Sequence, residues 1–162
     1  MTTNASTTLL EHTSTAFAVD IRAQTPIAAP AEAAWAVITD TSSYPHWNPF
    51  VFRLEGELRE GARVDVELRL ADRKPQRMRP TIVEVIDGSA FAWLGGFGVR
   101  GVFDGRHRFE IRPTGPSTCE LRHTERLSGL LVPMFRTMLT TATPAAFLAL
   151  NDAFKHRVEV SR

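Results

Sequence analysis

A single cysteine, Cys119, rules out an internal disulfide, and its position on a predicted apolar face makes it read as a small buried residue in a reduced compartment. Lysine is almost as scarce. Lys74 and Lys155 are the only two, so nearly all positive charge is arginine, and a formal net charge of +1 gives no electrostatic case for nucleic acid. No apolar run approaches the roughly 20 residues that cross a bilayer. Residues 1 to 15 lack the basic start and apolar stretch of a signal peptide; they read as a loose polar tail, and the protein is expected to be cytoplasmic. There is no GxSxG elbow, no phosphate loop and no dinucleotide fingerprint, so no cofactor is expected.

What remains is 162 residues, 43% hydrophobic and 23% charged, enough for one soluble domain with a sizeable core. The segment from Phe103 to Leu127 organises the reading, as two long strands joined by a turn at Pro113-Thr114-Gly115-Pro116. Alternation puts Phe103, Gly105, His107, Phe109 and Ile111 on one face, with Cys119, Leu121, His123, Glu125 and Leu127 beside them. Arg106, Arg108, Glu110, Glu120, Arg122 and Arg126 point the other way, an alternating charged and solvated face. The turn suggests a register opposing Ile111 to Cys119, Phe109 to Leu121, His107 to His123 and Gly105 to Glu125. A slip by two residues keeps every inward side chain inward. Three titratable groups thus share an apolar face, where each costs about 1 to 3 kcal/mol unless bonded to another, to water or to a ligand.

The rest of the chain supplies the frame. Phe17, Val19, Ile21, Ala23 and Ile27 mark the first strand. Pro30 opens a helix with Ala31, Ala34, Trp35 and Ile38 inward, and a second short helix, capped by Ser42 or Ser43, ends at Asn48-Pro49. Strands follow at 50 to 54, at 62 to 70 with Val64, Val66, Leu68 and Leu70 inward and Glu67 outward, and at 76 to 86 with a bulge near Pro80. Phe91 to Leu94 forms another, ending in Gly95-Gly96-Phe97-Gly98, where glycine lets the strand bend or a ligand approach. Residues 133 to 159 repeat apolar positions at threes and fours, Phe135, Met138, Leu139, Phe147, Leu150, Phe154 and Val158 among them, and Pro144 predicts an interruption around Thr140 to Thr143.

The stretches PAEAAWAVITD, YPHWNPF, PTIVEVIDGSAFAWLGG, DGRHRFEI and HTERLSGLL, in this order, resemble the SRPBCC superfamily of START domains and the major birch allergen, in its polyketide cyclase/dehydrase-like branch. The resemblance covers residues 16 to 160. It implies an α+β helix-grip fold: a seven-stranded curved antiparallel sheet around a long C-terminal helix, two short helices between strands 1 and 2, and a hydrophobic cavity between sheet and helix. The superfamily includes carriers, cyclases, hydrolases and co-chaperone-like proteins, so function has to come from the cavity.

Periodicity lines that cavity with Trp47, Phe52, Phe91 or Trp93, Phe109, Leu121, Met138 and Leu139, a surface for a flat or lipid-like hydrophobic small molecule. His107, beside Gly105 and Phe109, is the candidate general base, kept neutral by burial; His123, paired with Glu125, is the candidate acid. Their roles are interchangeable on periodicity alone. The chemistry that follows is cyclisation or dehydration, and the alternative is a carrier or protein-interaction module in which the same groups only anchor a ligand. Two imidazoles and a carboxylate also suit zinc or iron, but no compact ligand motif supports a metal. A nucleophilic Cys119 would need exposure beside a base. The oligomeric state is left open.

Overall fold

The computed structural model describes residues 7 to 161. Strand β1 (Leu9–Ser14) pairs antiparallel with β2 (Ala18–Ile27), and then come helix α1 (Ala31–Thr39) and a 3-10 turn at Thr41–His46. Next are β3 (Val51–Glu55), β4 (Asp65–Leu68), β5 (Gln76–Met78), β6 (Thr81–Ile86), β7 (Ala90–Gly96), β8 (Asp104–Gly115) and β9 (Thr118–Ser128). Helices α2 (Val132–Thr140) and α3 (Ala142–Val160) close the chain. Six strands form one antiparallel sheet in the order β1-β2-β9-β8-β7-β6, and three form a second in the order β3-β4-β5.

The sheet of seven strands is therefore divided. Residues 76 to 86 do not make one bulged strand; they break at Arg79-Pro80, where proline supplies no donor to continue the ladder, and β5 and β6 join different sheets. The two sheets remain stitched at that corner by the Arg63–Thr81 bridge and by the Val64 amide, which donates to the Pro80 carbonyl at 3.1 Å. The expected tail also differs. Its first six residues lie outside those described, while Leu9–Ser14 is an edge strand held by backbone pairing, with side chains too exposed to leave an apolar period. Phe17, read as inward, precedes β2 and is 54% exposed. Glu67, read as outward, is buried, and both Arg69 and Arg77 donate to it.

In the helices, Pro30 is the residue before α1 rather than its first. Asp40, not Ser42 or Ser43, precedes the 3-10 turn, and Ser42 donates to its carboxylate at 2.7 Å. The long helix is interrupted at Thr141 (φ −126°, ψ −70°), which puts Pro144 in the first turn of α3, where an amide hydrogen has no intrahelical acceptor to lose. Helix α3 buries Phe147, Leu150, Phe154 and Val158 against the sheet. On the opposite face, Arg126 pairs with Asp20 at 2.8 Å and Arg122 with Glu120 at 2.7 Å; such partly exposed surface pairs contribute about 0 to 1 kcal/mol each.

Candidate functional site

Strands β8 and β9 settle two residues away from the register the turn suggested. Gly105 lies opposite Leu127, His107 opposite Glu125, Phe109 opposite His123 and Ile111 opposite Leu121. The reason is the turn: β8 runs through Pro113 and Gly115, with an irregular step between them, and reverses at Pro116-Ser117. A shift of two preserves the facing, so His107, His123 and Glu125 do share the inner side. Glu125 stands beside His107, not His123 as the pairing on sequence had it, with Oε1 3.5 Å from Nδ1.

The two imidazoles meet directly. Nε2 of His107 and Nε2 of His123 are 2.6 Å apart, both rings have no exposed surface, and only one of the two nitrogens can carry the hydrogen between them. His123 is pressed flat against Phe147, with centroids 3.7 Å apart and planes 2° from parallel, and Phe109 stacks on it at 4.5 Å. That apolar slab desolvates the ring, and with the neighbouring His107 it holds the His123 pKa well below 6.5, against a smaller upward pull from Asn151. This favours neutral His123 over the imidazolium expected of the candidate acid. Beyond it, Nδ1 is 2.7 Å from Asn151 Oδ1, and Asn151 Nδ2 donates to Thr25 Oγ1 at 2.9 Å. His107 is stacked on Trp93 at 4.5 Å, and its buried Nδ1 has no hydrogen-bond partner.

Asn151 and Thr25 join the site without having been expected there, and both carry a sequence signal. Asn151 follows Phe147 by four and precedes Phe154 by three, so it is a polar residue on the buried stripe of α3; Thr25 falls between Ala23 and Ile27 on the buried parity of β2.

A cavity of about 170 Å³ opens beside this group, walled by Phe50, Trp93, Phe103, Leu127, Phe135 and Leu139. Glu125 is the carboxylate on its lining; Met138, Gly95, Gly96 and Gly105 also reach it. Gly96 is required by contact, because a Cβ there would lie 2.4 Å from the Phe103 carbonyl oxygen. Of the expected walls, Trp93, Met138 and Leu139 line the cavity. Phe91, Phe109 and Leu121 do not: they are fully buried in the packing between sheet and helices. Phe52 is covered instead by the Arg69 guanidinium, 3.2 Å from its ring centroid, and Trp47 packs on Tyr44 and Phe154 at 5.2 and 5.8 Å. Phe50, Phe103 and Phe135 take their places. His107 lies behind Glu125 rather than on the wall itself.

The Cys119 thiol is buried, and desolvation pushes its pKa up to about 11, which leaves little thiolate for nucleophilic work. Among the described residues, no group of three histidine, cysteine, aspartate or glutamate side chains is placed to hold a metal. No helix among them is long and apolar enough to cross a membrane.

Comparison with solved structures finds the same architecture in several proteins. Norcoclaurine synthase from Thalictrum flavum, solved with dopamine and hydroxybenzaldehyde, is 17% identical with a TM-score of 0.63, over 98% of this chain and 90% of that one. A START superfamily protein from Mycobacterium smegmatis is 18% identical with a TM-score of 0.68, over 88% and 99%. The Zhui aromatase/cyclase from Streptomyces sp. R1128 is 18% identical with a TM-score of 0.68, over 88% and 94%. At these identities the likeness is one of fold. A comparison with curated protein sequences finds no match. The family model described as polyketide cyclase / dehydrase and lipid transport matches residues 18–159, nearly the whole domain built above, and the chain belongs to that family.

Proposed function

We propose that the protein binds a small hydrophobic molecule bearing one ring in the cavity beside Glu125, and that Glu125, backed by His107, exchanges a proton with it in a cyclisation or dehydration. The observation that carries this reading is the placement of one carboxylate on a largely apolar cavity, with a buried, unbonded imidazole nitrogen 3.5 Å behind it. Size narrows the ligand. An apolar cavity of roughly 150 Å³ is known to hold benzene, so about 170 Å³ suits a single ring and is too small for a multi-ring polyketide or a full acyl chain. Two proteins of like fold are named for work on ring compounds, which supports the ligand class. A water-poor wall strengthens the effect of a carboxylate on the adjoining ligand atom.

The test is mass spectrometry of ligand carried through purification, followed by thermal unfolding with that ligand. At a hundredfold excess over Kd, binding adds about 2.7 kcal/mol, a rise in Tm of about 5 to 10 °C for a chain of this size. Glu125→Gln keeps the shape and removes the charge, and a true acid or base at this position is worth about 100- to 10,000-fold in turnover. If Glu125→Gln turns ligand over at the wild-type rate, the catalytic half of the proposal fails and a carrier remains. If no ring compound raises Tm, the binding half fails as well.

A further inference from the structure

The polar groups behind Glu125 continue past His123 to the protein surface. Thr25 Oγ1 is 2.8 Å from Thr8 Oγ1, which is 3.4 Å from Asp152 Oδ1. The order from the surface inward is Asp152, Thr8, Thr25, Asn151, His123, His107 and Glu125, with contributions from the chain before β1 and from β2, α3, β9 and β8.

We propose that this series is a directional hydrogen-bond relay, set by Asn151, that presents a bare nitrogen to Glu125 and so makes the site select ring ligands that carry a hydroxyl donor. The inference rests on the ligand-binding reading above. Direction follows from what each group can do. A carboxylate only accepts, so Thr8 donates to Asp152 and Thr25 donates to Thr8. The remaining lone pair of Thr25 takes a hydrogen from Asn151 Nδ2, which turns Oδ1 toward His123. Oδ1 accepts, so His123 carries its hydrogen on Nδ1 and, being neutral, has a bare Nε2. His107 must then donate from Nε2, and its own Nδ1 is left with a lone pair facing Glu125.

A lone pair opposite a carboxylate lacks a hydrogen. A ligand hydroxyl supplies one from the cavity side, donating to Glu125 with its O–H bond intact. Beside Glu125, a ligand with only a carbonyl or ether oxygen brings a third acceptor instead, and the donors of the lining, Arg73, Gln76 and Thr143, come from other segments. The pair is enclosed by Glu125 from β9, Trp93 from β7, Asn151 and Phe147 from α3 and Phe50 ahead of β3, so Glu125 is the charged group facing it. Asn151 is a positioning residue, acting on the ligand through two imidazoles.

Long-range proton–nitrogen NMR of the full chain, labelled at histidine, tests the direction without any ligand. Expected in the wild type are hydrogen on His123 Nδ1 and on His107 Nε2. In Asn151→Asp the new carboxylate favours the His123 imidazolium, and the His107 hydrogen moves to Nδ1. Hydrogen on His123 Nε2 in the wild type, or an unchanged pattern in Asn151→Asp, overturns the relay. Should Asn151→Asp fail to fold, Thr25→Val removes the acceptor that orients the Asn151 amide, and a mixture of both His123 tautomers is expected; a single unchanged tautomer counts against it. Phenol and benzaldehyde are the ligand probes. Phenol is expected to bind roughly ten- to a hundredfold more tightly, the worth of one hydrogen bond to a charged group, and equal affinities overturn the selection. If neither binds, the ligand-binding reading is what fails, and the tautomers still decide the relay.

Discussion

His107 and His123 share one hydrogen across 2.6 Å in the core of the protein, with no exposed surface on either ring. A second hydrogen in that gap would set two N–H groups against each other. Burial between Phe147 and Phe109 keeps the His123 ring neutral.

The consequence for stability has a definite sign. The pKa of His123 is lower in the folded chain than its ordinary 6.5, so below that pH the unfolded chain binds the extra proton. The stabilising contribution is fully present above about pH 6.5 and is lost as pH falls toward the depressed folded value, at up to about 1.4 kcal/mol per pH unit. Urea unfolding at pH 7.5 and pH 5 should show a larger loss for the wild type than for His123→Gln. Equal losses would mean that the slab does not hold the ring neutral.

Occupying the cavity from its own wall should abolish ligand binding while sparing the fold. Met138 lines the cavity from α2 and is only half-buried, so Met138→Trp has room to turn its ring inward. The expected result is loss of the ligand-induced rise in Tm, with the unliganded Tm changed by no more than a few degrees. A variant that still responds fully to ligand would place the binding site elsewhere.

Two backbone positions should answer in opposite ways. Gly129 has φ +130°, and a Cβ there would lie 2.5 Å from the Val102 carbonyl oxygen; Gly129→Ala should cost at least about 1 to 3 kcal/mol. Pro144 sits in the first turn of α3, so Pro144→Ala should change stability by less than about 1 kcal/mol, against the ~3 kcal/mol scale of a proline in a helix interior. Denaturant titration of both variants separates these cases.

The alternation of β8 and β9 by itself determined which side chains face inward, because a strand has a period of two and a register error of two residues leaves the faces unchanged. That is why His107, His123 and Glu125 were legible together, and why the antiparallel sheet and C-terminal helix were too. Glycine at 95 and 96 marked the cavity wall for a similar local reason. The partner of Glu125 was not legible, since it depends on where the turn at Pro116-Ser117 closes and on the irregular step before Gly115. Nor was the choice between wall and core: Phe91, Phe109 and Leu121 share the inward parity with Trp93, yet only the docking of α2 and the start of α3 decides how far along each strand the space is filled. The contact of Asn151 with His123 joins residues 28 apart in sequence. Hydrogen-bond partners across elements are fixed by packing, and packing is set by the whole fold rather than by any one segment.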